Sequence, residues 1–462
     1  MSYDEAHGDD GAPRPQYRRL LAALERSDLL ALRETARRHV AAEGASFGDD
    51  PFRIDPVPRV FSGEAWDALA AGLEQRARAL NAFVLDAYGE QRIVGAGLLD
   101  ARVIDEGEGY ERALRGRLPP MAAPIAIAGL DVVCDDDGTL RVLEDNCRTP
   151  SGYCYAAAAR RAVTAALPPV GVDPRELEEP LRELLAGVVR DAAAAGAADP
   201  VVVVLSEGPG SASAWEHERV ARLVGGHVVT AGDLRLEGGR LLARTADAGA
   251  REVDVVLRRT DDEAVFDDAG EPTATAALLL EPWLGGRLGL VNAFGTGIAD
   301  DKLVHAHVEE MVGFYLGEEP LLASVPTYDL GRPELLEEVL DDLRAHVVKP
   351  RGGAGGRGVV VCAHADDDTL ERLRDELRRD PGSYVAQRTV ALSCHPTVGD
   401  EGGLEPRHVD LRPFVFSGAG WTRAMPGGLT RVALEPGSLV VNSSQGGGGK
   451  DTWVLASEPP GV

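Results

Sequence analysis

Between residues 65 and 88 the apolar side chains recur in steps of three and four: Trp66, Leu69, Leu73, Ala77, Leu80, Val84 and Tyr88. That period draws one apolar stripe along an amphipathic helix. From 121 to 146 the pattern changes to short β-branched runs about an Asp137-Gly138 turn, which reads as a β-hairpin. Helical spacing returns at 155–166, a Pro/Gly break follows at 167–174, and a second long helix is predicted over 175–196. Val201 to Leu205 is a continuously apolar strand. A helix containing Trp215 follows, then strands near 227–230 and 253–258, and this alternation predicts a parallel α/β unit. After residue 300 the order is a helix containing Lys302, a strand ending at Lys349, a glycine loop over 352–358, a strand over 359–362, a helix over 366–379 and a strand over 384–387. The last 55 residues alternate short strands with glycine turns. Residues before about Tyr17 are polar and acidic and read as a frayed leader. No internal repeat is visible.

At 462 residues the chain has room for about three structural units of roughly 150 residues. An apolar share of 44% with 27% charged residues is a globular balance. The formal charge of −27 repels phosphate backbones and anionic lipid, so neither nucleic acid nor a membrane is an expected partner. No apolar run is long enough to cross a bilayer, and the acidic N-terminus lacks the apolar stretch of a secretory signal. Five cysteines without a CxxC pair fit reduced thiols, so a cytoplasmic location is expected. The basic residues are more telling. Of 48, only Lys302, Lys349 and Lys450 are lysine. A lysine kept among arginines suits a site that needs a compact ammonium, such as a phosphate contact. Lys349 precedes one glycine-rich loop and Lys450 follows another.

Two segments carry candidate chemistry. Across the Asp137-Gly138 turn, Asp131 falls opposite Glu144, and Asn146 shares their face. Facing carboxylates cost stability in a sheet unless a cation sits between them, and two carboxylates with an amide oxygen suit Mg²⁺. The alternative is a solvated acidic face. The loop GGAGGRG at 352–358 lies between two β-branched strands and is not a Walker loop. It either folds over a triphosphate with Lys349 beneath it, as kinase glycine loops do, or is a flexible turn. SEGPGS at 206–211 lacks the third glycine of a dinucleotide fingerprint. Arg148, Arg412 and Arg431, if clustered, would neutralise a γ-phosphate and a developing oxyanion; singly, each is a surface ion pair. SQGGGGKD at 444–451 reads as a second anion nest with Lys450 turned inward, or as a loose loop.

Together, LEDNCRTPSG, NAFGTGIADDK, VVKPRGGAGGRG, RHVDLRPFV, PGGLTRVA and VNSSQGGGGKDTWVL resemble the ATP-grasp superfamily. The likeness is to its circularly permuted branch, distantly similar to glutathionylspermidine synthase, and runs from about Phe52 to Leu455. The acidic segment precedes the lysines, the reverse of the usual order, and the Asp-to-Glu spacing with Glu-x-Asn is similar to that of D-alanine–D-alanine ligases. The resemblance implies an α/β fold of α+β elements in four parts. These are a leader and helix at 1–50, a helical region with the Mg²⁺-binding segment at 51–170, a pre-ATP-grasp α/β unit at 171–298, and nucleotide-binding subdomains at 299–462. It implies that Lys302 and Lys349 hold ATP and that Gly352, Gly353, Gly355 and Gly356 cover the phosphates. Tyr384 to Val390, with Gln387 and Val390, resembles the adenine hinge, although Gln387-Arg388 stands where a glutamate is usual. Asp131, Glu144 and Asn146 are the implied Mg²⁺ ligands, and Arg148, Arg412, Arg431 and Lys450 the catalytic cations. The implied activity is an ATP- and Mg²⁺-dependent carboxylate–amine ligase acting through an acylphosphate on small-molecule or peptide substrates. Glu216, His217, Arg258 and Arg259 are acceptor-site candidates, with an exposed helix face as the other reading of Glu216 and His217. Rival readings are a phosphotransferase and a non-catalytic nucleotide-binding subunit. The resemblance also implies an alpha-E or transglutaminase-like protein partner.

Overall fold

The computed structural model describes residues 2–194, 197, 199–245, 249–260, 265–267, 270–353, 357–435, 437, 441 and 447–456. Its largest sheet has seven strands. In spatial order these are Ile54–Phe61, Gly448–Val454, Trp421–Val432, Leu404–Gly418, Ile127–Cys134 and Leu140–Asn146, with Cys394–Val398 paired to the start of Leu404–Gly418. Hairpin pairs thus alternate with neighbours far apart in sequence: Ile54–Phe61 beside Gly448–Val454, and Leu404–Gly418 beside Ile127–Cys134. Side chains alternate between the two faces. Leu130, Val132, Leu411 and Val415 pack on the helix Gly63–Ala87, whose predicted stripe is wholly buried. Phe414, Phe416 and Leu429 pack on the helices Tyr153–Ala166 and Glu178–Ala192.

Two smaller sheets flank this one. Thr327–Asp329, Tyr384–Arg388, His346–Pro350 and Val360–Val361 form an antiparallel sheet. The helices Pro333–Asp341 and Asp367–Arg379 cover it, with a core of their own around Val339, Leu373 and Leu377. Gly289–Val291, Val255–Arg258, Val202–Leu205 and His227–Val229 form the expected parallel sheet. Beside it, Leu234–Glu237, Arg240–Thr245 and Gly249–Glu252 form an antiparallel sheet that the sequence reading passed over. Gly238 and Gly239, at φ +58° and +71°, make the tight turn between its first two strands.

The N-terminal segment is not frayed. Asp4 bridges to Cys394, and Ala6 is fully buried. Glu5 pairs with Arg59 through two bonds of 2.6 and 2.7 Å, and Arg59 is 1% exposed. A buried guanidinium needs a carboxylate, and the leader supplies it.

Candidate active site

The acidic hairpin meets the predicted register by a different route. Asp135 and Thr139 close a wider turn, with Gly138 at φ +85°. Cys134 therefore faces Leu140 and Val132 faces Val142, one residue off the two-residue-turn register. A bulge at Leu143 restores it, so Asp131 faces Glu144 and Gly129 faces Asn146. The bulged residue is used: its carbonyl accepts from Gln387 Nε2 at 3.1 Å.

Asp131 is not left to repel Glu144. Arg412 donates to it from Nε at 2.6 Å and Nη2 at 2.8 Å, and Arg431 from Nη2 at 2.8 Å. Burial opposes its ionisation, but the two guanidiniums hold its pKa below the usual carboxylate range. Asp410 holds Arg431 from the other side, with one bond of 2.8 Å. Arg412 and Arg431 thus cluster around Asp131. Arg148 pairs instead with Asp300, at 3.6 Å.

Glu144 turns instead toward Lys302 and Asp300. Lys302 Nζ lies 3.4 Å from its carboxylate and donates to Gly353 O at 2.9 Å. Asp300 accepts the Cys147 N–H at 2.5 Å. Burial raises the Asp300 pKa to about 7, with Glu144 adding to the rise and Arg148, Cys147 N–H and Lys302 opposing it. Asp300 is the residue the sequence reading missed. It stands in NAFGTGIADDK, two places before the lysine that drew attention there. Among the described residues no group of three or more His, Cys, Asp or Glu is arranged to hold a metal ion. Two carboxylates, Glu144 and Asp300, can be joined there by the Asn146 amide, which shares the face of Glu144. Its Nδ2 is buried without a partner, and turning the amide sets the oxygen there instead. Glu144, Asn146 and Asp300 are hard oxygen donors that fit Mg²⁺ better than Asp131, whose oxygens already face two guanidiniums.

Lys349 is the last residue but one of the strand His346–Pro350 and is 9% exposed. Burial lowers its pKa, Glu144 raises it, Lys302 lowers it and Asp131 raises it, so the four charges share one neighbourhood. Its Nζ bonds Gln387 Oε1. Gln387 Nε2 also reaches Thr327 Oγ1 at 3.0 Å, so its side chain braces Lys349, while half-buried Val390 follows the strand. In the glycine loop, a Cβ at Gly352 would run into the Glu108 carboxylate, and Gly353 has φ +88°. Gly355 and Gly356 lie outside the described residues, as do Ser444 to Gly446 of the second loop.

Lys450 is not brought to this cluster. It pairs with Thr430, whereas Arg431 pairs with Gly449, so Lys450 lies on the opposite face of the sheet from Arg431. It is fully buried, bonds Asp55, and donates to Val57 O at 3.2 Å and Pro396 O at 3.1 Å. Glu216 and His217 are buried rather than exposed. Glu216 accepts from Gly152 N at 3.0 Å and Cys154 N at 3.0 Å, capping the helix Tyr153–Ala166. His217 Nδ1 lies 2.8 Å from Ser206 Oγ, and burial, then Arg259, lowers its pKa to about 3. Arg259 donates to Pro150 O at 2.6 Å and to Glu216 at 3.3 Å. Arg258 lies over the Phe294 ring at 4.5 Å. Glu216 and Arg259 thus tie the parallel unit to the loop after Arg148.

The chain belongs to the circularly permuted ATP-grasp type 2 family, whose model matches residues 58–433. It is 40% identical to an uncharacterized protein of Synechocystis sp., over 98% of this chain and 97% of that one. It is also 40% identical to a Frankia casuarinae protein named "Putative glutamate–cysteine ligase 2-2", over 98% of this chain and 53% of the relative. The chain thus spans about half the length of the Frankia relatives it matches. Its fold overlays that of a glutathione synthetase-like effector from Globodera pallida, solved in the apo form, with a TM-score of 0.58 at 13% identity, covering 93% of this chain and 98% of that one. No helix among the described residues is long and apolar enough to cross a membrane.

Proposed function

We propose that this protein is an ATP- and Mg²⁺-dependent ligase that joins a carboxylate to an amine through an acylphosphate. The observation that carries the reading is Lys302, whose ammonium lies between the Glu144 carboxylate and the Gly353 carbonyl. An acidic strand and a glycine loop meet there at one cation, as a phosphate site beside a metal requires. Lys349 and Lys302 hold the phosphates, the loop covers them, and Tyr384 to Val390 lines the base. Glu144 and Asn146, with Asp300 beside them, would hold Mg²⁺, which when bound neutralises the phosphate oxygens.

A carboxylate resists attack by an amine. Its oxygen takes the γ-phosphoryl group as the bond to the ADP oxygen breaks. The amine then forms the C–N bond as phosphate leaves with the acyl oxygen, and the amine loses a proton. Arg412 and Arg431, fixed by Asp131 and Asp410, supply positive charge on the same sheet face. The Frankia names make glutamate and cysteine the first pair to try. The test incubates the protein with Mg–ATP and a set of carboxylates and amines, and follows ADP, phosphate and product mass. The reading expects ADP, free phosphate and an amide in equal amounts, with ¹⁸O passing from a labelled carboxylate to phosphate. ADP with a phosphorylated product and no free phosphate would replace it with a phosphotransferase.

A further inference from the structure

We propose that Asp301, Arg351 and His305 are positioning residues that fix Lys302 where the glycine loop meets the acidic strand; this rests on the ligase reading above. Lys302 opens a helix of only four residues, Lys302–His305. A single turn does not hold itself, because nucleation costs more than one turn of hydrogen bonds returns. Side chains must hold it from both ends.

At its start, Asp301 caps the turn by accepting Leu303 N–H at 2.8 Å. The same carboxylate takes Arg351 Nε at 3.0 and 2.8 Å, and both residues are 5% exposed. The Arg351 carbonyl in turn accepts Lys302 N–H at 3.3 Å. At its end, His305 Nδ1 lies 2.6 Å from Asp145 Oδ2. Asp145 sits between Glu144 and Asn146 on the opposite face of their strand. Arg76, from the long helix Gly63–Ala87, holds Asp145 through bonds of 2.6 and 2.7 Å. One end of the turn is therefore tied to the base of the glycine loop and the other to the back of the acidic strand.

Arg351 lies inside the loop motif, where a phosphate contact is the obvious assignment. Its guanidinium is otherwise engaged. Nε faces Asp301, Nη1 donates to Arg102 O at 3.3 Å, and Nη2 bonds Val103 O. At 5% exposure it acts on nucleotide only through Lys302 and the loop base.

The full chain has only three lysines, so acylation by a hydroxysuccinimide ester, read peptide by peptide in a mass spectrometer, reports Lys302 separately from Lys349 and Lys450. In the wild type, Mg–ATP should protect Lys302. In Asp301→Asn, Arg351→Gln and His305→Gln, Lys302 should label several-fold faster without nucleotide, while Lys450 keeps its rate. The Kd for Mg–ATP should weaken about tenfold or more, the scale that a misplaced binding group costs. The double variant Asp301→Asn/Arg351→Gln should be no worse than the worse single, because both act through one contact. It also removes both buried charges, so it reads the same effect if a single variant fails to fold. Folded variants that label and bind like wild type would overturn the positioning role and leave the ligase reading standing. A wild-type Lys302 that Mg–ATP does not protect would overturn both.

Discussion

Three lysines in a chain whose other 45 cations are arginine invited one explanation, and their surroundings divide them. Lys302 and Lys349 share a neighbourhood with Glu144; Lys450 binds Asp55 and two carbonyls on the other face. Lys450→Met should therefore cost about 3–5 kcal/mol of stability by stranding a buried carboxylate, without a specific effect on nucleotide. Lys349→Met should do the reverse, melting near wild type while losing about 1.5–3 kcal/mol of Mg–ATP binding. Paired melting curves and titrations separate the two. Asp300 makes a pH prediction. Its pKa rises from an ordinary 3.8 to about 7 on folding, so the folded state keeps a proton that the unfolded chain gives up. Stability then falls as pH rises through that window. Asp300→Asn avoids the loss, so in EDTA it should gain on wild type at about pH 8 and not at about pH 4. Equal melting differences at both would show that Asp300 does not carry the raised pKa. In the sequence these residues were legible where type and spacing coincide, as at Asp131 and Glu144. Burial and face decided Lys450 and Asp300, and neither is written in local sequence.

Among elements, the hairpin shows how a pattern can predict a pairing and mistake its cause. A wider turn and the Leu143 bulge offset each other, because each shifts the ladder by one residue. Hydrophobic alternation set which face is buried, so the pairing at Asp131 survived the error about the turn. The segment around Gly107 to Tyr110 offered no such pattern, yet it supports the turn that carries Asp300, Asp301 and Lys302. A Cβ at Gly109 would run into the backbone of Gly297 and Ile298. Gly109→Ala should therefore destabilise by about 1–3 kcal/mol and weaken Mg–ATP binding together. A neutral substitution in both assays would show that the turn does not depend on that close approach.

Over the whole molecule, the first and last strands of the large sheet along the chain lie side by side: Gly448–Val454 pairs with Ile54–Phe61. The alternation after residue 200 made the parallel unit legible. The order of strands in the large sheet was not legible, since long-range pairing leaves no local period. The leader was misread for the same reason: Glu5 pairs with Arg59, 54 positions away, and Asp4 bridges to Cys394. Glu5→Ala should strand Arg59 and cost about 3–5 kcal/mol, seen as a lower Tm, while Mg–ATP affinity is unchanged.

Glu144, Lys302 and Lys349 are proposed to form one Mg–nucleotide site. Melting of wild type and Glu144→Gln with ATP, with Mg²⁺ or EDTA, and with NADPH as control tests it most directly. At a hundredfold excess over Kd, Mg–ATP should stabilise wild type by about 2.7 kcal/mol. NADPH should do nothing, and Glu144→Gln should lose the Mg²⁺-dependent part of the gain while melting normally in EDTA. No stabilisation of wild type by any Mg–nucleotide, or a full Mg–ATP gain in Glu144→Gln, would contradict the account.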